Sequence, residues 1–152
     1  MKTIIATTSE QSQRLLRCGV SADTADMSYQ FIDECVNNTD KPICNTPKEQ
    51  FATLRGYGFE DSRIHITPAF SLSRLLELMP FKIRCGNYEY WLDIAPMDYG
   101  KQWSIGYYCT EKPRVIRGLA HTDSLIECAV LMVEWLVANG YKLSGIEKGG
   151  EQ

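Results

Sequence analysis

The chain has 152 residues, 44% hydrophobic and 23% charged, enough to bury a core without disulfides or a structural metal and outside the composition of disordered chains. Its 16 basic and 19 acidic residues leave a net charge of -3. The molecule as a whole therefore lacks the positive field that draws proteins to nucleic acid or anionic membrane, which argues against both as partners.

The opening MKTIIATTSEQ has one lysine and a short apolar run, too little for a signal-peptide core or a membrane span, so a cytoplasmic protein is expected. Thr7-Thr8-Ser9-Glu10 reads as a capping box, with Thr7 as cap and Glu10 reaching back, and Gly19 suits a left-handed stop. In SADTADMSYQFIDECV two periods compete. Ala25, Tyr29, Ile32 and Val36 fit a helix, whereas Met27, Tyr29 and Phe31 fit a strand. The reading leans to a helix capped by Ser21. NNTDKP, residues 37–42, is a loop, and Thr46-Pro47-Lys48-Glu49 is a second capping box with proline at the first helical position and Gly56 as the stop. Ile64-His65-Ile66 then alternates as a short extended segment.

In TPAFSLSRLLELMP, Ser71 can cap a helix with Phe70 and Leu75 as a hydrophobic staple. Leu72, Leu75, Leu76 and Met79 share one apolar face, and Pro80 prevents continuation. From Pro80 the period becomes two. Phe81, Ile83 and Cys85 alternate with Lys82 and Arg84, Gly86-Asn87 is a hairpin signal, and Tyr88, Tyr90, Leu92 and Ile94 alternate with Glu89, Trp91 and Asp93. QWSIGYYCT places Trp103, Ile105, Tyr107 and Cys109 on the same apolar face. The last helix is expected to start at a Thr122 cap, to present Leu125, Ala129, Met132, Val133 and Leu136 on one face widened by Ile126, Val130 and Val137, and to end at Asn139-Gly140. The fold class is α+β: a three- to four-stranded antiparallel meander packed against a long C-terminal helix and a short central helix, with N-terminal helices. A single domain is expected over residues 1–143, followed by a flexible glycine-rich tail, SGIEKGGEQ, over 144–152.

The order LLRCGVSADTADM, TPAFSLSRLLELMP, a Tyr- and Trp-rich meander and DSLIECAVLMVEWLVANG resembles uncharacterised small proteins encoded by prophages and mobile elements of gut bacteria. Those proteins carry a P-A-W-S-L type helix start and a late helix ending near W-L-x-x-N-G. Phe70 stands here where tryptophan is usual, which leaves the staple intact. The resemblance spans the chain except roughly residues 29–63. It implies a mobile-element origin and carries no established activity.

Three constellations are candidates for chemistry. The first is the more polar face of the meander, where Lys82, Arg84, Trp91 and Tyr108 combine cations with flat rings suited to recognising a protein or stacking on bases; further chain covering that face would instead make Trp91 second-layer core. The second is EKPRVIRGLAHTD, whose Lys112, Arg114, Arg117 and His121 precede the expected helix start at Thr122. Cations beside a helix N-terminus would attract a phosphate or carboxylate, whereas a solvated basic loop is the plainer account. The third, Cys109 or Cys128 with His121 and Asp123 as a nucleophilic triad, is weak, because both thiols fall on predicted apolar faces.

The six cysteines, Cys18, Cys35, Cys44, Cys85, Cys109 and Cys128, are scattered, form no C-x-x-C pair and lie at no zinc spacing from His65 or His121. They read as reduced thiols, with Cys85, Cys109 and Cys128 as small core residues. No P-loop, G-x-G-x-x-G or H-E-x-x-H occurs, and no metal and no cofactor are expected. The expectation is a non-enzymatic accessory protein that binds a host or phage protein, with self-association left open. The alternative is a small anionic-ligand or nucleotide-binding protein, hydrolytic or not, using Arg114, Arg117, His121 and Thr122.

Overall fold

The computed structural model describes residues 6–109, 111 and 115–145, with 115–119 and 121 described by their backbone. The class is α+β, as the sequence predicts, and the chain divides into two compact units after Arg74.

In the first unit, helix α1 spans Ser9–Arg17. Its cap is Thr8, not Thr7: Thr8 Oγ1 accepts from the Gln11 N–H at 3.1 Å and Gln11 Oε1 accepts from the Thr8 N–H at 3.0 Å. Thr7-x-x-Glu10 and Thr8-x-x-Gln11 both satisfy the box pattern, and the choice is made by distant chain. Thr7 is fully buried, where its hydroxyl accepts from the Phe70 N–H and pairs with the Ser12 hydroxyl. Gly19 stops the helix at φ +109°, with the Val20 N–H donating back to the Leu15 carbonyl.

The segment after Ser21 corrects the helical reading. Ser21 caps only a single turn, Ala22–Thr24, and Met27–Ile32 is a strand, β1. It pairs antiparallel with β2, Ile64–Ala69, from Met27 opposite Ala69 to Ile32 opposite Ile64. Pairing at that sequence separation decides what local period could not. Between them lies helix α2, Pro47–Gly56, whose Thr46 and Glu49 make the predicted box. Gly56 is its last residue rather than its stop. That role falls to Gly58, at φ +95°, as the Phe59 N–H donates to the Leu54 carbonyl. Ile32, Leu54 and Ile64 form one small core, with Cys35, Phe51, Phe59 and Ile66 around it, and Met27, Ala69 and Ala6 form another. Polar links add to these. The Asp26 carboxylate accepts from both the N–H and the hydroxyl of Ser71, and Arg74 Nε donates to the Thr24 carbonyl at 2.6 Å.

Ser71 also caps helix α3, Leu72–Leu78, its Oγ accepting from the Arg74 N–H at 3.1 Å. Leu75, Leu78 and Met79 are buried while Leu72 and Leu76 are half-buried, so the covered face is turned toward Leu78 from the one expected.

The second unit is built on a four-stranded antiparallel meander of order β3-β4-β5-β6: Lys82–Cys85, Tyr88–Met97, Gln102–Cys109 and Val115–Thr122. Helix α4, Leu125–Ala138, packs against β5 and β6, burying Ile126, Cys128, Ala129, Val130, Met132, Val133 and Leu136. Its cap is Ser124, which accepts from the Glu127 N–H, and not Thr122, whose hydroxyl instead closes a local turn with the backbone of Ser124. Asn139-Gly140 ends it as predicted, with Gly140 at φ +78° and the Tyr141 N–H donating to the Leu136 carbonyl. Trp135 stacks between Tyr107 and Tyr141, with ring centroids 6.5 and 5.6 Å away, and the buried Tyr107 hydroxyl donates to the Pro80 carbonyl at 2.6 Å. Of the expected tail, the Ser144 N–H donates to the Leu78 carbonyl at 2.8 Å, and 146–152 lie outside the described residues.

Candidate functional site

The β3–β4 hairpin turns on Gly86-Asn87 between the paired Cys85 and Tyr88. Gly86 sits at φ +63° and Asn87 at a negative φ, the arrangement that matches the twist of a two-residue hairpin with glycine first. The turn fixes the register. Lys82 falls opposite Trp91 and Arg84 opposite Glu89, and the next strand sets Tyr108 opposite Trp91. The structure thus brings together all four residues singled out on this face, as a cross-strand row Lys82–Trp91–Tyr108 with Arg84 two residues along β3.

Within the row Lys82 Nζ lies 5.5 Å from the centre of the Trp91 ring and 2.9 Å from Glu89 Oε2. The cation is attracted to the ring face and anchored by the carboxylate. Trp91 keeps 42% of its surface exposed, so it is not second-layer core, and Tyr108 is half-buried. Among the described residues no acid forms an ion pair with Arg84, which is exposed. The face is not open throughout, because Ser104 and Gly106, on the same side of β5, are buried. Its accessible part is the β3–β4 side: Lys82, Arg84, Trp91 and Asp93.

The basic stretch is not the loop approach to a helix that the sequence suggests. Residues from Val115 to Thr122 form β6, with Arg117 opposite Tyr107 and His121 opposite Ser104. Lys112 and Arg114 lie outside the described residues, as do the side chains of Arg117 and His121. With Ser124 as the cap, Thr122 does not head the helix.

All six cysteines are free thiols. Cys109 and Cys128 are buried, Cys85 is half-buried, and Cys44 is exposed. Cys128 Sγ donates to the Ala120 carbonyl at 3.3 Å, and burial pushes its thiol up despite backbone hydrogen bonds that pull it down. A thiol so held is a poor nucleophile. Among the described residues no three His, Cys, Asp or Glu side chains gather as a metal site, and no helix is long and apolar enough to cross a membrane.

Sequence reasoning missed a hollow of about 420 Å³ in the first unit, lined by Thr8, Ser9, Tyr29, Gln30, Phe31, Thr39, Asp40, His65 and Thr67. His65 Nε2 lies 3.1 Å from Asp33 Oδ1, and its ring is 6.1 Å from that of the exposed Phe31. The Tyr29 hydroxyl donates to the Thr7 carbonyl at 2.7 Å, and burial, with Asp40 nearby, pushes its phenol up. These residues come from α1, β1, the following loop and β2. The only signal in the sequence was the strand period of β1, which sets Tyr29 and Phe31 on one side. No protein-family model, curated protein or solved structure matches the chain.

Proposed function

We propose that this chain is a non-enzymatic binding protein that docks a host or phage protein through the β3–β4 side of its meander, in the manner of an accessory factor of a mobile element. One observation carries the reading: the exposed Trp91, flanked by Lys82 over its ring and by Tyr108 across the strand. A part-exposed indole in a rigid sheet offers a large contact area at little cost in conformational entropy, the property that makes tryptophan and tyrosine dominant at interfaces. The resemblance to mobile-element proteins supports the origin named in this reading. The test is affinity capture from the encoding cells with wild-type protein, Trp91→Ala and a Tyr57→Ala control, Tyr57 being an exposed residue of the first unit. A partner held by wild type and the control but lost by Trp91→Ala is expected; equal capture by all three overturns the reading.

A second reading is favoured by the hollow around Phe31 and His65, which has the volume of a small-molecule site. In that reading the chain binds a small polar ligand there, in place of the anion site expected at the last helix. A thermal-stability screen with nucleotides, amino acids and sugar phosphates tests it, since a ligand of the native state alone raises the melting temperature. An unchanged melting temperature throughout removes it.

A further inference from the structure

The open side of the meander ends at β3, and the two edges of the sheet differ. On β6 the pairing slips twice, between Ile105 and Tyr107 and between Tyr107 and Tyr108, and such irregularities blunt an edge against further pairing. On β3 the register is unbroken from Lys82 to Cys85. The direction of its hydrogen bonds follows from one contact just before it, where the Leu92 N–H donates to the Phe81 carbonyl at 2.9 Å. In an antiparallel ladder bonded pairs alternate with unbonded ones. Phe81 opposite Leu92, Ile83 opposite Tyr90 and Cys85 opposite Tyr88 are therefore the bonded pairs, as a two-residue hairpin closing at Cys85 and Tyr88 requires. Lys82 and Arg84 consequently aim their own N–H and C=O groups away from β4, along the outer edge. Among the described residues no strand pairs with that edge.

The side chains fix what such an edge can take. The two that β3 presents on the open face are both cations, Lys82 and Arg84, and both are exposed. On the opposite side Phe81 is 72% exposed beside the buried Ile83. A second copy of β3 is a poor occupant: antiparallel pairing centred on Ile83 would set Lys82 of one protomer opposite Arg84 of its partner, and like charges directly opposite destabilise a sheet. We infer that β3 accepts an extended segment of another protein in which acidic residues, opposite Lys82 and Arg84, alternate with apolar residues that cover Phe81. Main-chain pairing gives such an addition its affinity and the alternating side chains its selectivity. The inference rests on the proposed protein-binding role and names its partner chemistry.

The test titrates the full chain with labelled peptides of about eight residues, the length of an ordinary strand. One alternates valine with glutamate, one alternates valine with lysine, and one is the glutamate peptide interrupted by a central proline. The glutamate peptide is expected to bind about tenfold more tightly than either of the others, the difference a single well-made hydrogen bond or ion pair supplies. Arg84→Pro removes an outward N–H while leaving the ladder to β4 intact, and is expected to weaken that peptide by a similar factor with the hairpin retained. Arg84→Glu keeps every backbone donor and should turn the preference toward the lysine peptide. Equal affinity for the three peptides, no binding at millimolar concentration, or indifference to both Arg84 variants overturns the inference. The wider reading falls on a different result, partner capture that ignores Trp91→Ala, so the two failures are separable.

Discussion

In the first unit, side chains are tied by hydrogen bonds to backbone far away in sequence: Thr7 to Phe70, Asp26 to Ser71, Arg74 to Thr24. In the second, one long apolar helix lies on a sheet and seven of its residues are buried. The difference is between two ways of holding a chain. Apolar burial scales with area and tolerates substitutions that conserve volume. Buried hydrogen bonds contribute modestly while made and cost heavily when one partner is removed. The two halves should therefore fail under different kinds of mutation.

The largest effect is expected in the second unit. Leu136→Ala, at a fully buried position of α4, should lower stability by about 2–5 kcal/mol in urea denaturation, the range for a leucine deleted from a packed core. Leu136→Met, which keeps the volume, should cost less than about 1.5 kcal/mol. Thr7→Val conserves shape in the first unit yet strands the Phe70 N–H, whose acceptor is Thr7 Oγ1, and about 1–3 kcal/mol should be lost. A neutral Thr7→Val would break the comparison, because it would mean that the first unit too is held by volume.

Tyr107→Phe carries the same logic into the apolar unit. It removes the hydrogen bond to the Pro80 carbonyl for about 1 kcal/mol. It also changes the response to alkali. Burial raises the Tyr107 phenol above its ordinary value of 10.0, so below that pH both folded and unfolded chains hold the proton. As pH climbs past it the unfolded chain releases its proton first and stability falls. The phenylalanine variant should lose that part of the decline, leaving the part due to Tyr29, whose phenol is also raised; chemical denaturation at stepped pH measures both. The smallest effect is expected at the candidate site: Trp91→Ala, in an exposed row, should stay within about 0.5 kcal/mol of wild type while losing the partner.

Legibility followed the same division. The second unit is largely local: two-residue turn, alternating strands and a helix ended by Asn139-Gly140 can each be read from neighbouring residues, and so can the row around Trp91. Most of what escaped in the first unit depends on distant chain. The first cap is ambiguous because Thr7 and Thr8 each have a suitable partner three residues on, and only Phe70 decides between them. β1 needed β2 to exclude a helix. β6 hid in a basic run because its two slips break the alternation that marks a strand. The hollow around His65 gathers residues from four segments, and no spacing announces it.

The stack of Tyr107, Trp135 and Tyr141 also decides which part of the molecule can be watched. All three tryptophans, Trp91, Trp103 and Trp135, belong to the second unit. Intrinsic indole fluorescence during unfolding therefore follows that unit alone, with Trp135 sensing loss of its two ring neighbours and Trp91 already facing water. The first unit is silent at that wavelength and reports through far-ultraviolet dichroism, to which its α1 and α2 contribute. Comparing the two melting curves reads out whether the units unfold as one: coincident midpoints indicate a shared transition, and separated ones two independent transitions.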